Sequence, residues 1–255
     1  MGVAVAVLAA GHGTRFNSSL PKHLHPVGGV PIVERVIRAG LAISPDRLVA
    51  VVSPALDDLP SRLGMDGQFD VAVQQEPKGT ADAVRHALAE IGDCDWLVSL
   101  LGDNPLLDGD MVGRLVRRAQ ETGALVTVLT AEVDDAQEYG RIDCDAQGRA
   151  LRIVEFSEQD KPNRAHPPIE INSGIMVLNA RWARSAFDQL RPNPPKNEYY
   201  LTDLVAVAAS GHQDGGPWPV EREVVEPEVA VGVNDRIQQA NADAIVRDKT
   251  RARLM

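Results

Sequence analysis

The sequence predicts an α/β protein: one continuous domain on a mainly parallel sheet with helices on both faces. Three observations carry that prediction. Short apolar runs read continuously rather than in alternation, as strands covered on both faces do. These runs alternate with longer segments of helical spacing, an order that favours parallel pairing through right-handed crossovers. The first run also opens directly into a glycine-rich loop carrying cations, at the carboxyl end of a strand, where open α/β sheets bind ligands.

Taken in order, "VAVAVLAA" (Val3 to Ala10), "RLVAVVS" (Arg47 to Ser53), "DVAVQQ" (Asp70 to Gln75) and "DWLVSLLGD" (Asp95 to Asp103) read as strands. Between them, Pro31 to Ala42, Gly79 to Ile91 and Asp108 to Thr122 carry helical spacing, with Pro31 suited to a first helical position and Asp108 to a helix start. The second half changes character. "ALVTVLTAEV" and "RALRIVEF" read as longer strands, followed by a Pro-rich loop (Lys161 to Pro168) and the strand "EINSGIMVLNA". A helix over Glu198 to Ser210, a Gly/Pro-rich turn over Gly215 to Pro219, a strand leading into "GVND" and a polar helix from Arg236 to Arg253 complete the chain. Neither an internal repeat nor a flexible linker interrupts it.

Composition narrows the function classes. At 255 residues, 44% hydrophobic and 24% charged, the chain is an ordinary globular one. A formal net charge of −10 argues against a nucleic-acid surface, which needs a basic stripe to replace phosphate counterions. Cys94 and Cys144 stand far apart and suggest neither a disulfide framework nor a zinc site. The opening "MGVAVAVLAAGHG" lacks a basic leader segment and loses its apolar character at Gly11, so it reads as a buried strand rather than a signal peptide or membrane span. The cytoplasm is the expected compartment, with no membrane partner.

The loop "LAAGHGTRFNSSLPKHLHPVGGVPIVERVI", from Leu8, is the informative stretch. It is not a dinucleotide fingerprint, because Phe16 stands where the third glycine belongs, and no Gly-Lys-Ser/Thr triplet makes a P-loop. A lone Gly-His-Gly would read as a tight turn whose glycines only supply positive φ. Here Gly11 and Gly13 also let backbone N–H groups approach a ligand. Thr14 adds a hydroxyl, Arg15 a fork for two oxygens, and Lys22 a point charge. A polyphosphate site is the better reading. His12 shapes the loop, His23 and His25 read as loop or packing residues, and Asp134-Asp135 as a turn.

Gly-x-Gly-Thr-Arg, then Leu-Pro-Lys, then Gly-x-Pro opening a helix resembles the sugar-1-phosphate nucleotidyltransferases. Within them the likeness is greatest to the uridylyltransferase domain of the bifunctional bacterial enzyme that makes UDP-N-acetylglucosamine. The resemblance implies a Rossmann-like, glycosyltransferase-A-like mixed sheet, with a nucleotide-binding half over about residues 1–122 and a sugar-binding half over about 123–233. A C-terminal helix (234–255) follows, without the acetyltransferase β-helix domain of the bifunctional enzyme.

Residue by residue, the resemblance implies nucleotide contacts at Leu8, Ala10, Gly11, Gly13 and Thr14, with Arg15 and Lys22 acting on the phosphates. "QQEPKGTADAV" matches the base-reading segment, through Gln74, Gly79 and Thr80. "LLGDNPLL" offers Asp103 and "GVND" offers Asn234 as ligands for Mg²⁺. "EYGRI" (Gly140), "IVE" (Glu155) and "EINSGIMV" (Asn172) match sugar contacts, and "NEYYLTDLVA" the family's Glu-Tyr-Tyr-x-Thr-Asp helix start. The implied partners are UTP and a sugar-1-phosphate, N-acetylglucosamine-1-phosphate first. Another sugar phosphate, a cytidylyl donor, or a non-catalytic sugar-nucleotide-binding domain are the other readings.

The chemistry suits those residues. A sugar-phosphate oxygen attacks the α-phosphorus of a nucleoside triphosphate and pyrophosphate leaves, a transfer that needs positioning and charge neutralisation rather than a protein nucleophile. Asp103 is expected to be a carboxylate on the cleft surface. Gln74 carries both a donor and an acceptor and can flip to suit uracil or cytosine, which leaves discrimination to fixed backbone near Gly79. One departure from the subgroup stands out: where a Lys-Asp pair usually follows the "VE" element, this chain has Ser157 and Glu158, with Lys161 later.

Overall fold

The computed structural model describes residues 2–11, 13–156, 167–213 and 215–255. In chain order its elements are β1 (Val3–Ala9), β2 (Pro26–Val27), β3 (Val30–Pro31), α1 (Ile32–Leu41), β4 (Arg47–Val52), α2 (Leu59–Leu63), β5 (Asp70–Val73) and α3 (Thr80–Ile91). There follow β6 (Trp96–Leu101), α4 (Gly109–Thr122), β7 (Val126–Val133), β8 (Arg141–Cys144), β9 (Ala150–Val154) and β10 (Ile169–Asn179). The chain closes with α5 (Ala180–Ala186), α6 (Asp203–Ser210), β11 (Val220–Val225), α7 (Pro227–Ala230) and α8 (Arg236–Leu254).

Nine of these strands form one sheet in the order β11-β7-β10-β6-β1-β4-β5, with β8 on β10 and β9 on β8. β6, β1, β4 and β5 are parallel, as the βαβ order predicts. β11 also runs parallel to β7, whereas β10 is antiparallel to both β6 and β7. From β1 the chain crosses to β4 and β5 on one side, then returns to place β6 on the other. That reversal makes the boundary between β1 and β6 a topological switch point, whose carboxyl ends are the position where such sheets bind ligands.

The continuous apolar strands are explained by burial on both sides. Val5, Val7 and Ala9 of β1 pack with Val33, Val36 and Ile37 of α1 and Leu115 of α4. Ala4, Ala6 and Leu8, facing the opposite way, pack with Ala81, Val84 and Leu88 of α3. Each larger aliphatic side chain so buried contributes about 1.5–3 kcal/mol. A third cluster of Phe16, Val27, Ile32, Val233 and Ala242 ties the glycine loop, the β2–β3 hairpin, the "GVND" segment and α8 together. α8 is therefore part of the body: Asp243 Oδ1 accepts from Gly28 N (2.7 Å) and Gln239 Nε2 donates to Pro26 O (2.8 Å).

Several boundaries differ from the sequence reading for local reasons. Pro31 is extended (ψ 139°) and pairs with Pro26 in the hairpin, so α1 starts at Ile32. α6 begins at Asp203 rather than Glu198, because Tyr199 is pinned across the chain: its N–H donates to Lys78 O (2.8 Å) and its carbonyl accepts from Ala81 N (3.0 Å). β8 and the short α2, α5 and α7 carry too few residues to show a period. Ser157, Glu158 and Lys161, and with them the altered stretch after Glu155, lie outside the described residues, as does His12. No helix among the described residues is long and apolar enough to cross a membrane.

Candidate functional site

β1 and β6 end side by side, with Leu8 opposite Leu101 and Gly102 N donating to Leu8 O at 2.8 Å. The loop leaving β1 therefore meets the loop leaving β6. Gly13 has φ +60°, and a Cβ there would lie 2.3 Å from Lys22 Cβ, so glycine is what lets Lys22 reach inward. Lys22 Nζ stands 2.5 Å from Asp103 Oδ2 and 2.8 Å from Asn234 Oδ1. Asn234 is delivered by the start of α8, where Gln238 Oε1 accepts from Asn234 N (2.6 Å) and Asp235 caps the helix. Val233 N donates to Asp103 O (2.8 Å). Three candidates from distant parts of the sequence thus converge at one point.

Asp103 is no cleft-surface carboxylate, contrary to the sequence expectation. Its side chain is 19% exposed against a lysine 8% exposed. Its Oδ1 is buried and has no hydrogen-bond partner among the described residues. A buried carboxylate oxygen left unsatisfied is costly, and a hard divalent cation is the natural satisfier. Asn234 Oδ1 shares Lys22 Nζ with the other carboxylate oxygen, Asp103 Oδ2, and these hard oxygen donors fit Mg²⁺. No group of three or more His, Cys, Asp or Glu side chains suited to a metal occurs among the described residues. A metal here would complete its shell from substrate oxygens and water, as Mg²⁺ habitually does.

Burial pushes the His23 imidazole down to about 4, with the Asp103 carboxylate opposing and Lys22 assisting. Burial, then the Asp103 charge, pushes the Tyr139 phenol up to about 12. His25 stacks on Phe16 and its Nε2 lies 3.1 Å from Leu20 O, in keeping with a packing role. Arg15 stands apart from the cluster, paired with Glu138 at 2.7 Å with its side chain 55% exposed. Gly11 is exposed, and a Cβ there would meet nothing within 4 Å, so open space lies over the loop. Thr14 is exposed at the start of the short turn Thr14–Phe16, while Leu8 and Ala10 are buried at the end of β1.

A second group forms at the ends of β4 and β5. Gln74 N donates to Val52 O (2.9 Å), and the Gln74 side chain is buried with its Nε2 2.7 Å from Asp82 Oδ2. Gly79, at φ +101°, precedes α3, and a Cβ there would fall 2.4 Å from Tyr199 O. Thr80 Oγ1 accepts from Leu201 N (2.9 Å). The "EPKGT" and "EYYLT" motifs are two sides of one wall.

The third group holds the remaining candidates. Gly140 O accepts from Asn172 N (2.9 Å), and a Cβ on Gly140 would approach Glu155 Oε2 to 3.3 Å. Glu155 Oε1 accepts from Thr202 Oγ1 at 2.6 Å. Gly140, Glu155 and Asn172, separate in sequence, are neighbours in space. Asp82, Glu138 and Thr202 escaped the sequence reading although each lies inside or beside a quoted motif. Their signal was a polar residue inside a quoted motif.

Residues 5–214 match the MobA-like NTP transferase domain. The chain belongs to this family. It is 37% identical over 253 residues to the Bifunctional protein GlmU of Trichlorobacter lovleyi, covering 99% of this chain and 54% of that protein. The protein of the same name from Streptomyces avermitilis is 38% identical over 257 residues (99% and 52% covered), and that from Desulfotalea psychrophila 33% over 255 residues (99% and 73%). The chain spans about half the length of the first two.

Proposed function

We propose that the protein transfers a uridylyl group from UTP to a sugar-1-phosphate, with N-acetylglucosamine-1-phosphate the first candidate, releasing pyrophosphate and forming a UDP-sugar. The observation that supports this most is the Lys22–Asp103–Asn234 cluster. It joins a phosphate-seeking cation to two hard oxygen donors. A non-catalytic nucleotide-binding domain has no need of that combination.

The reaction follows from charge placement. An oxygen of the sugar phosphate attacks the α-phosphorus of UTP, and the α–β bridging oxygen departs with the bonding electrons as pyrophosphate. Asp103 and Asn234 would hold Mg²⁺, which would supply neutralisation of the triphosphate charge. Lys22 adds a preorganised point charge to the phosphates as charge moves from the α-phosphorus to the leaving group. Arg15 exchanges Glu138 for phosphate oxygens, because an exposed pair of that kind is worth only about 0–1 kcal/mol. The exposed backbone of Gly11 lies open to triphosphate oxygens. Gln74, Gly79 and Thr80 receive the base, and Gly140, Glu155 and Asn172 the sugar.

The test is pyrophosphate release with Mg²⁺, each nucleoside triphosphate in turn, and a panel of sugar-1-phosphates. UTP with N-acetylglucosamine-1-phosphate is expected to give the highest kcat/KM. A clear preference for CTP or a purine triphosphate overturns the uridylyl reading, a different sugar phosphate replaces only the acceptor, and no release with any pair overturns the whole proposal.

A further inference from the structure

Gln74 Nε2 donates to Asp82 Oδ2 at 2.7 Å and faces Gly79 O at 3.5 Å. Both neighbours are acceptors without a proton to give, one a carboxylate and the other a backbone carbonyl. Turning the amide over would press Gln74 Oε1 against two oxygens, in a side chain only 4% exposed. One of the two amide orientations is therefore excluded. Asp82 is itself held: it lies in the first turn of α3, where a helix favours an anion, and its Oδ2 also lies 3.6 Å from His86 Nε2.

We propose that Asp82 is a positioning residue that locks Gln74 as a hydrogen-bond acceptor toward the base, so that the pocket selects a pyrimidine carrying a proton at N3 over one carrying a lone pair there. Uracil and thymine both carry that proton. Cytosine presents a lone pair at N3, and two acceptors would face each other. The sequence alone leaves Gln74 free to flip and so gives the backbone near Gly79 the work of discrimination. Asp82 removes that freedom and returns much of the selection to the side chain. The inference rests on the reading that Gln74 faces the base.

The experiment compares kcat/KM for UTP, dTTP and CTP, with one sugar-1-phosphate, in the wild type, Asp82→Asn and Gln74→Ala. An asparagine can offer either its carbonyl or its N–H to Gln74, so the flip is released with little change of shape. The UTP-to-CTP ratio is expected to fall tenfold or more in Asp82→Asn, while the UTP-to-dTTP ratio stays as in the wild type. A merely structural role for Asp82 would lower all three triphosphates together. If Asp82→Asn melts early, Asp82→Ser and equilibrium binding of UTP and CTP in the cold read the same ratio. An unchanged ratio in the Asp82 variants alongside a collapsed ratio in Gln74→Ala overturns the lock while keeping Gln74 as the base reader. An unchanged ratio in Gln74→Ala as well overturns the base assignment beneath it.

Discussion

Lys22 Nζ lies 2.5 Å from Asp103 Oδ2, and the two side chains are only 8% and 19% exposed. In so buried a pair, removing one partner strands the other charge, at about 3–5 kcal/mol. Asp103→Ala and Lys22→Met are each expected to lower stability by about that amount in metal-free protein. The double variant is expected to lose much less than the sum, because neither charge is then left alone. Urea unfolding in EDTA measures all four forms, and strictly additive losses would show that the pair is not coupled.

Lys22 is also expected to matter more in the transition state than in the bound substrate. Lys22→Met is expected to lose about 2–4 kcal/mol of transition-state stabilisation, by comparison with removal of one preorganised donor. Steady-state kinetics should show the loss in kcat as well as in KM. A rise confined to KM would reduce Lys22 to a binding residue.

His23 makes a pH-dependent contribution whose sign follows from its burial. The unfolded imidazole takes up a proton near 6.5, whereas the folded one resists until about 4. Between those values the unfolded chain binds more protons, so stability falls as the pH drops from 6.5 toward 4. The whole fall amounts to about 3 kcal/mol. His23→Gln is expected to flatten this part of the profile, measured as urea midpoints across the pH range in EDTA. An unchanged slope would mean that His23 is not held neutral by its surroundings.

The sequence disclosed the sheet because β1, β4, β5 and β6 are covered on both faces, and double coverage writes itself as uninterrupted valine, leucine and alanine. The glycine loop was legible because Gly11, Gly13, Thr14, Arg15 and Lys22 stand close in the chain, whereas the close approach of Gly13 to Lys22 became visible only in the structure. Other features could not be read so. The meeting of Lys22 with Asn234 depends on α8 packing back on the hairpin through Ala242 and Asp243. The delayed start of α6 depends on Tyr199 bonding to Lys78 and Ala81 across more than a hundred residues. Asp82 stands inside the quoted "QQEPKGTADAV" without being singled out, because its grip on Gln74 is a fact of tertiary placement. The burial of Asp103 was hidden for the same reason, since a strand-end aspartate looks solvated until its neighbours are in place.

If the phosphates react at the Lys22–Asp103–Asn234 cluster, turnover must depend on the Asp103 charge, and Asp103→Asn is the decisive variant. Asparagine keeps the size and one acceptor oxygen at the position but removes the negative charge. Melting and far-ultraviolet circular dichroism establish that the variant is folded, and pyrophosphate release is then measured at saturating UTP, sugar-1-phosphate and Mg²⁺. The expected result is a folded protein whose kcat has dropped by orders of magnitude. A folded Asp103→Asn protein with near-normal turnover would place the chemistry elsewhere.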